Sequence, residues 1–439
     1  MKRTRTVIPV ILLLLLNFVG FAQKIEFEEY DLENGLHVIL HQDHSTPIVN
    51  VSILYHVGSK NEPANRTGFA HFFEHLMFEG SANIPRGEYT KHVERAGGVL
   101  NANTSPDRTY YYEVMPSHQL ELALYLESER MLHLRVDSFG VKTQKNVVIE
   151  EKKQSYDNRP YGGLLSETMK RAFTTHPYHW TTIGDPAHIM AATDEDFLKF
   201  YKTYYVPNNA TLTIVGDFNP VQAKEWVKKY YAEIPKGTLP MLRPDVNMEP
   251  KQTVEVRDTV YDNIQLPAIV MGYKIPAAGT PDFYAMSMLN KILSDGKSSR
   301  LYTELVDKQQ KALQIMAVSI PYVHPGLSLV FGLPNMGVKL DEFEPLIQVQ
   351  LDRMKNELVS DRELQKAKNQ VESDMINGMS SLANRAEELA SNYTFFKNAN
   401  LINTEIEEYN KVTAEDIKRV ANMYMQKENR VVLYWLAKK

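Results

Sequence analysis

The chain has 439 residues, 43% of them hydrophobic, with a formal net charge of −5 and no cysteine. An acidic chain without basic clusters argues against nucleic-acid partners, and the missing cysteines exclude disulfides and any thiolate-held metal. The length allows two or three domains, each held by an apolar core and not by covalent staples.

The opening stretch, "MKRTRTVIPVILLLLLNFVGFAQK", sets Lys2, Arg3 and Arg5 before an apolar run from Val7 to Leu16 and ends on Gly20-Phe21-Ala22. That layout predicts a secretory signal peptide over residues 1–22, cut after Ala22. The run is short for a membrane anchor, and Asn17 interrupts it. Its removal moves the formal charge from −5 to −8, because three basic residues leave with it. No second apolar stretch follows, so a soluble exported protein is expected.

"IVNVSILYHVGSKNEP", from Ile48, reads as a strand and a polar loop, and "TGFAHFFEHLMFEG", residues 67–80, as the helix that follows. On a helix, positions 71, 74 and 75 are i, i+3 and i+4, so His71, Glu74 and His75 share a face. Phe69, Phe72, Phe73, Leu76 and Met77 occupy the remainder, which suits a helix packed into a core. Three ionisable groups buried there without partners would be costly. A divalent metal resolves the cost: two neutral imidazoles one turn apart can reach one Zn²⁺. Glu74 is then placed to hold and deprotonate a metal-bound water. The order H-x-x-E-H inverts the commoner H-E-x-x-H and is a zinc-hydrolase signature in its own right. A structural helix with buried polar pairs is the alternative.

Further on, "VLNANTSPDRTYYYE" alternates as a strand from Val99. "TQKNVVIEEKKQSYDN" reads as a helix with Gln144, Val147, Val148, Glu151 and Gln154 on one inward stripe, while Glu150 points away with Lys152 and Lys153. A catalytic zinc needs a third protein ligand, and an inward Glu151 needs a partner. The charge run from Glu150 to Lys153 equally permits an exposed, salt-bridged helix. His176 and His179, in "HPYHWTTIGDP", fall in a loop with Pro177 and are not expected to be ligands.

A weak repeat sets the architecture. "TDEDFLKFYKTYYVPNNATLTI" from Thr193 matches "TAEDIKRVANMYMQKENRVVLY" from Thr413 at a constant offset of 220, pairing Asp196 with Asp416 and Asn209 with Asn429. Each copy opens with a capping box, continues as an amphipathic helix and ends in a β-branched strand. "LPAIVMGYKIPAAGTPDFYAMSMLNKIL", from Leu266, repeats the strand–loop–helix order of the first half. Two α+β domains are expected, over residues 23–235 and 253–439, joined by a proline-rich linker at 236–252.

Taken together, "HFFEH", "GGVLNANTSPDRTYYYEV" and "VVIEEKKQ" resemble the M16 peptidases, the inverzincins that include pitrilysin, insulin-degrading enzyme and the mitochondrial processing peptidase. The resemblance covers both halves and implies an α+β fold of two duplicated LuxS/MPP-like α/β-sandwich domains forming a half-clamshell. It implies one zinc per chain, held by His71, His75 and Glu151, which lies 76 positions past His75. Glu74 is then the general base in hydrolysis of internal peptide bonds. The resemblance also implies that Asn101, Ala102, Asn103 and Thr104 lie on an edge strand whose backbone pairs with an extended, unfolded peptide. In the family the second half carries no zinc but completes the cleft.

Two departures stand out. Gln144 takes the place where many relatives have a second Glu, and Val306 and Leu313 stand where active members carry an Arg and a Tyr that contact the substrate carbonyl. Arg300 and Tyr302, nearby, read as scaffold. The chain thus resembles the zinc-bearing subunit of bacterial M16 pairs. Either a second subunit supplies the Arg/Tyr pair in a heteromer, or a homodimer works unaided. The other functional reading is a structural or peptide-binding subunit of a larger envelope complex. With export and a bacterial resemblance, the periplasm is the expected compartment.

Overall fold

Two mixed sheets organise the chain in a computed structural model that describes residues 24–438. The expected signal peptide lies outside these described residues. The first sheet contains β1 (Glu28–Asp31), β2 (His37–Gln42), β3 (Ile48–Tyr55), β4 (Val99–Thr104), β5 (Thr109–Pro116) and β6 (Ala210–Gly216), in the order β1-β2-β6-β3-β5-β4. The second contains β7 (Val256–Asp262), β8 (Ala268–Ile275), β9 (Ala312–Ile320), β10 (Gly326–Pro334) and β11 (Arg430–Ala437), in the order β7-β11-β8-β10-β9. Setting β1 aside, the two orders are the same path. Each also has one parallel pair, β2 with β6 and β7 with β11, among antiparallel neighbours.

The repeat read from the sequence is a repeat of structure, and the α+β architecture is as expected. Thr193 and Thr413 accept from the backbone N–H of Asp196 and Asp416 at 3.2 and 3.1 Å, and both carboxylates accept in return. Asn209 and Asn429 each donate to the carbonyl five residues back, Tyr204 and Tyr424, at 2.8 and 2.6 Å. β3 and β8 obey the offset of 220 as well, although their sequences hardly show it.

Each sheet has two covered faces, and the second cover is exchanged between the halves. One face of the first sheet packs Val38, Val51 and Ile53 against the helix Phe69–Leu76, here the motif helix. The opposite face, with Ile39, Leu54, Tyr110 and Val215, is covered by Leu382, Ala386, Leu389 and Ala390 of the helix Leu382–Phe396, which belongs to the second half. In return the helix Leu164–Ala172 of the first half lays Met169 and Ala172 on Val270, Leu329 and Leu433 of the second sheet. Burial on both faces explains why β3 is fully buried along Val49–Tyr55, Asn50 and Ser52 included. No helix or strand occupies the chain between Tyr231 and Val256. Among the described residues, no helix is long and apolar enough to cross a membrane.

Candidate metal centre

The motif helix begins at an abrupt corner. Gly68 has φ of +93°, and a Cβ there would lie 2.9 Å from the carbonyl oxygen of Ile183, so both conformation and space call for glycine. Glycine offers no side-chain cap, and the buried carboxylate of Glu62 takes that part. It accepts from the N–H of Gly68 at 2.9 Å and of Ala70 at 2.8 Å. Burial pushes the Glu62 carboxyl up to about 8 against the lowering effect of those N–H groups. Tyr111 of β5 donates to the carbonyl of Phe73 at 2.9 Å, tying the middle of the helix to the sheet.

One turn apart on that helix, His71 and His75 point their Nε2 atoms at each other, 3.3 Å apart. Glu151 closes the triangle, with one oxygen 3.0 Å from His75 Nε2 and the other 3.5 Å from His71 Nε2. It comes from the helix Ser138–Lys152, whose N-terminus is capped by Asp137 accepting from the N–H of Gly140. The imidazoles beside it, His71 first, hold the Glu151 carboxyl well below the usual carboxylate range. Yet Glu151 Oε2 and His71 Nδ1 are buried without a hydrogen-bond partner. Two imidazole nitrogens and a carboxylate converging on one point, with Glu151 Oε2 left unsatisfied there, are what a shared cation would resolve, and two imidazoles with one carboxylate fit Zn²⁺. Among the described residues this is the one cluster of three or more His, Asp or Glu arranged to hold a metal.

Glu74, between the histidines, is turned toward the sheet. Its Oε2 accepts from Thr104 Oγ1 at 2.7 Å. β4 is the outermost strand of its sheet and pairs only with β5, so one side of its backbone is open. Residues facing one another across an antiparallel pair share a face. Ala102 opposite Tyr111 and Thr104 opposite Thr109 therefore face the motif helix, while Asn101 and Asn103 turn to the other side. There Asn103 accepts from Arg108, which also pairs with Glu387 of the exchanged helix.

The inward stripe expected on the Glu151 helix is only half realised. Val148 is buried, but Val147 is 42% exposed, and Gln154 is exposed because the helix widens into a π turn at Lys153–Asp157. Glu150 points outward to Lys153, as expected. Gln144 does not approach the histidines. It donates to Glu79, just past the motif helix, and Glu79 pairs with Arg86 at 2.6 Å.

The remaining candidates lie apart. His176 bonds to His324 at 2.7 Å, and His179 to the carbonyl of Phe173. Arg300 pairs with Glu363 at 2.7 Å. Val306 packs partly against the second core, and Leu313 is 56% exposed on β9. The sequence reading missed two contributors: Glu62 as the cap and Thr104 as the partner of Glu74. An acidic residue a few positions before a Gly-started helix was an available signal for the first. Nothing local signalled the second.

Comparison with known proteins finds relatives that cover most of the chain. The family model described as insulinase, peptidase family M16, matches residues 37–185, and that described as peptidase M16 inactive domain matches residues 191–371. A Helicobacter pylori protein named zinc protease PqqE is 33% identical over 403 residues, covering 91% of this chain and 90% of its own length. The beta subunit of the mitochondrial-processing peptidase of Lentinula edodes is 22% identical over 405 residues, covering 90% and 86%. Among solved structures, a protease from Helicobacter pylori superposes with a TM-score of 0.88 at 31% identity, covering 94% of this chain and 99% of that one. The first half of the periplasmic protease PqqL from Escherichia coli shares the fold, with a TM-score of 0.75 at 18% identity over 94% and 92%.

Proposed function

The chain belongs to peptidase family M16, and on that premise we propose that it is a zinc-dependent endopeptidase for extended, unfolded peptides. The observation that carries this reading is the convergence of His71, His75 and Glu151 beside a carboxylate, Glu74, that is not needed as a ligand. Bound zinc supplies Lewis acidity there, bringing the pKa of a water near 7 and polarising the scissile carbonyl. Glu74 takes the proton of the attacking water. As the C–N bond breaks, it passes that proton to the departing amine. The hydrogen bond from Thr104 fixes which Glu74 oxygen is free for this exchange. The open side of β4, at Asn101 to Thr104, offers backbone N–H and C=O groups to a substrate laid down as an extra strand, which selects for extended chains over folded ones.

In this reading residues 23–235 form the peptidase half, 236–252 the linker and 253–439 the inactive half. The expected signal peptide takes the protein to the periplasm, the compartment printed for its structural neighbour PqqL. Neither Val306 nor Leu313 of the second half can donate to a carbonyl oxygen. A donor has to come from a partner subunit or from the zinc half itself.

Digestion of a mixed pool of unfolded peptides by the zinc-loaded mature chain, followed by mass spectrometry, tests the reading. Glu74→Gln should keep one zinc per chain and lose hydrolysis, whereas His75→Ala should lose the metal. Turnover retained in Glu74→Gln would defeat the assignment of Glu74 as the base, and no stoichiometric zinc in wild type would leave a structural subunit as the better description.

A further inference from the structure

β4 is held at two consecutive residues from opposite sides. Neighbouring side chains of a strand point to opposite faces of its sheet. Thr104 reaches Glu74 on the metal face, at 2.7 Å, while Asn103, opposite Tyr110, lies on the face that the exchanged helix Leu382–Phe396 covers. There Arg108 joins three parts. One terminal guanidinium nitrogen donates to Asn103 Oδ1 and the other to Glu387 Oε1 of the exchanged helix, and the guanidinium carbon sits 5.2 Å from the centre of the Tyr110 ring. Arg108 is only 13% exposed, so water and salt screen this pair far less than a surface pair.

The strand needs such a hold. β4 has six residues and one hydrogen-bonded neighbour, β5, and its other side is open. Such an edge opens and twists more readily than a strand paired on both sides. A bond on one face alone leaves rotation about the strand axis possible, whereas bonds at adjacent residues on both faces oppose it. The turn that follows is fixed as well. Buried Asp107 accepts from Lys60 and Tyr178 at 2.6 Å each, and from the N–H of Val323 at 3.1 Å. Val323 lies between β9 and β10, so the second half grips the β4–β5 hairpin twice, through Glu387 at its side and through Val323 at its tip.

We propose that Arg108 is a positioning residue: by bridging Glu387 and Asn103 it lets the second half set the orientation of β4 and, through Thr104, that of Glu74. The proposal deepens the peptidase reading and rests on it. In this role Arg108 need not touch the substrate or the metal donors. It keeps the peptide-receiving backbone and the base in register with each other. The half without the metal donors thus contributes to the reaction by geometry, without lending a group to the chemistry.

The test uses the full mature chain, zinc-loaded. In Arg108→Ala, kcat on a fluorogenic unfolded peptide should fall about 10- to 100-fold, because small misplacements of reacting groups are that costly. KM should stay within about threefold, since the backbone edge of β4 remains available, and zinc content should not change. Arg108→Glu and Glu387→Arg should each lose rate, and the two together should recover most of it, because the Asn103 amide can turn and donate to the new carboxylate. Combined with Thr104→Val, Arg108→Ala should add less than about threefold to the loss, because both changes break one route to Glu74. Hydrogen exchange over residues 99–109 should quicken in Arg108→Ala and Glu387→Ala, while β2 and β6 keep their rates. Wild-type kcat in Arg108→Ala, no recovery in the exchanged pair, or losses that multiply fully with Thr104→Val would overturn the assignment. Zinc missing from wild type, or turnover by Glu74→Gln, is a separate result: it removes the metal or the base on which the proposal rests, and the proposal with it, while the exchange rates still report whether Arg108 holds β4.

Discussion

Thr104 donates to Glu74 at 2.7 Å across the space between the open edge of the first sheet and the motif helix. The strand that is proposed to receive the peptide thus also holds the proposed base. A peptide pairing with β4 would press on the residue that orients Glu74. Thr104→Val, which removes the hydroxyl and keeps the shape, should lower kcat about tenfold with little change in KM, since general-base catalysis is worth about 10²–10⁴ and misorientation forfeits part of it. Thr104→Ser should restore most of the rate. Equal kcat values for the Val and Ser variants would show that the contact is only structural.

Glu62 should govern metal affinity without touching the metal. Its carboxylate satisfies two N–H groups that Gly68 leaves open at the start of the motif helix. Glu62→Ala strands both in a buried place and loosens the first turn, where His71 sits. Zinc affinity, measured by competition with a chromophoric chelator, should weaken 10- to 100-fold, the range found for groups that orient ligands. Glu62→Gln, still able to accept through its carbonyl, should lose less.

Acid should weaken the seam between the halves. His176 and His324 share one hydrogen bond at 2.7 Å, which requires an N–H on one ring and a bare nitrogen on the other. Lys60, Asp107, Tyr178 and Glu249 surround the pair. Burial first, then each other's charge and that of Lys60, push His176 down to about 4, and burial likewise lowers His324. The folded value lies below the unfolded 6.5, so the unfolded chain binds the proton first. Stability is therefore complete above about 6.5 and declines as pH falls toward about 4, by on the order of 1–2 kcal/mol once solvent screening is allowed for. Urea midpoints at pH 7.5 and 5 should differ in wild type, and the difference should shrink in His176→Gln. The same pH slope in both proteins would refute the assignment.

The exchanged helices should make the halves interdependent. Leu389 is fully buried against a sheet built from residues 28–216. Leu389→Ala should cost about 2–5 kcal/mol, and hydrogen exchange should quicken in β3 and β6 as well as in the second half. A protein comprising residues 24–235 alone should not give a cooperative melt, because Ile39, Leu54, Tyr110 and Val215 would face water.

What the sequence made legible was local. His71, Glu74 and His75 could be read because helix geometry fixes i, i+3 and i+4 within one turn, and the capping boxes at Thr193 and Thr413 are equally short-range. Glu151 was found by its stripe, yet Val147 on that stripe is largely exposed, because the helix meets the core along a narrower line than its apolar residues suggest. Gln154 was misplaced for a related reason: α-helical periodicity does not hold through a π turn, so counting by 3.6 misplaces the residues after Lys152. The helix Leu382–Phe396 shows an apolar face, but no pattern within it says that the face belongs to the distant half. Thr104 could be placed on a strand, whereas its contact with Glu74 depends on how that strand and the motif helix pack.

The exchange also bears on how the molecule is made. While a ribosome is still producing residues 217–380, the first sheet is complete in its strands but bare on one side, and the motif helix sits on a half-covered support. The last turn of the wait ends only when the segment around Leu389 emerges. The centre on the opposite face of that sheet thus rests on a support that only the second half completes.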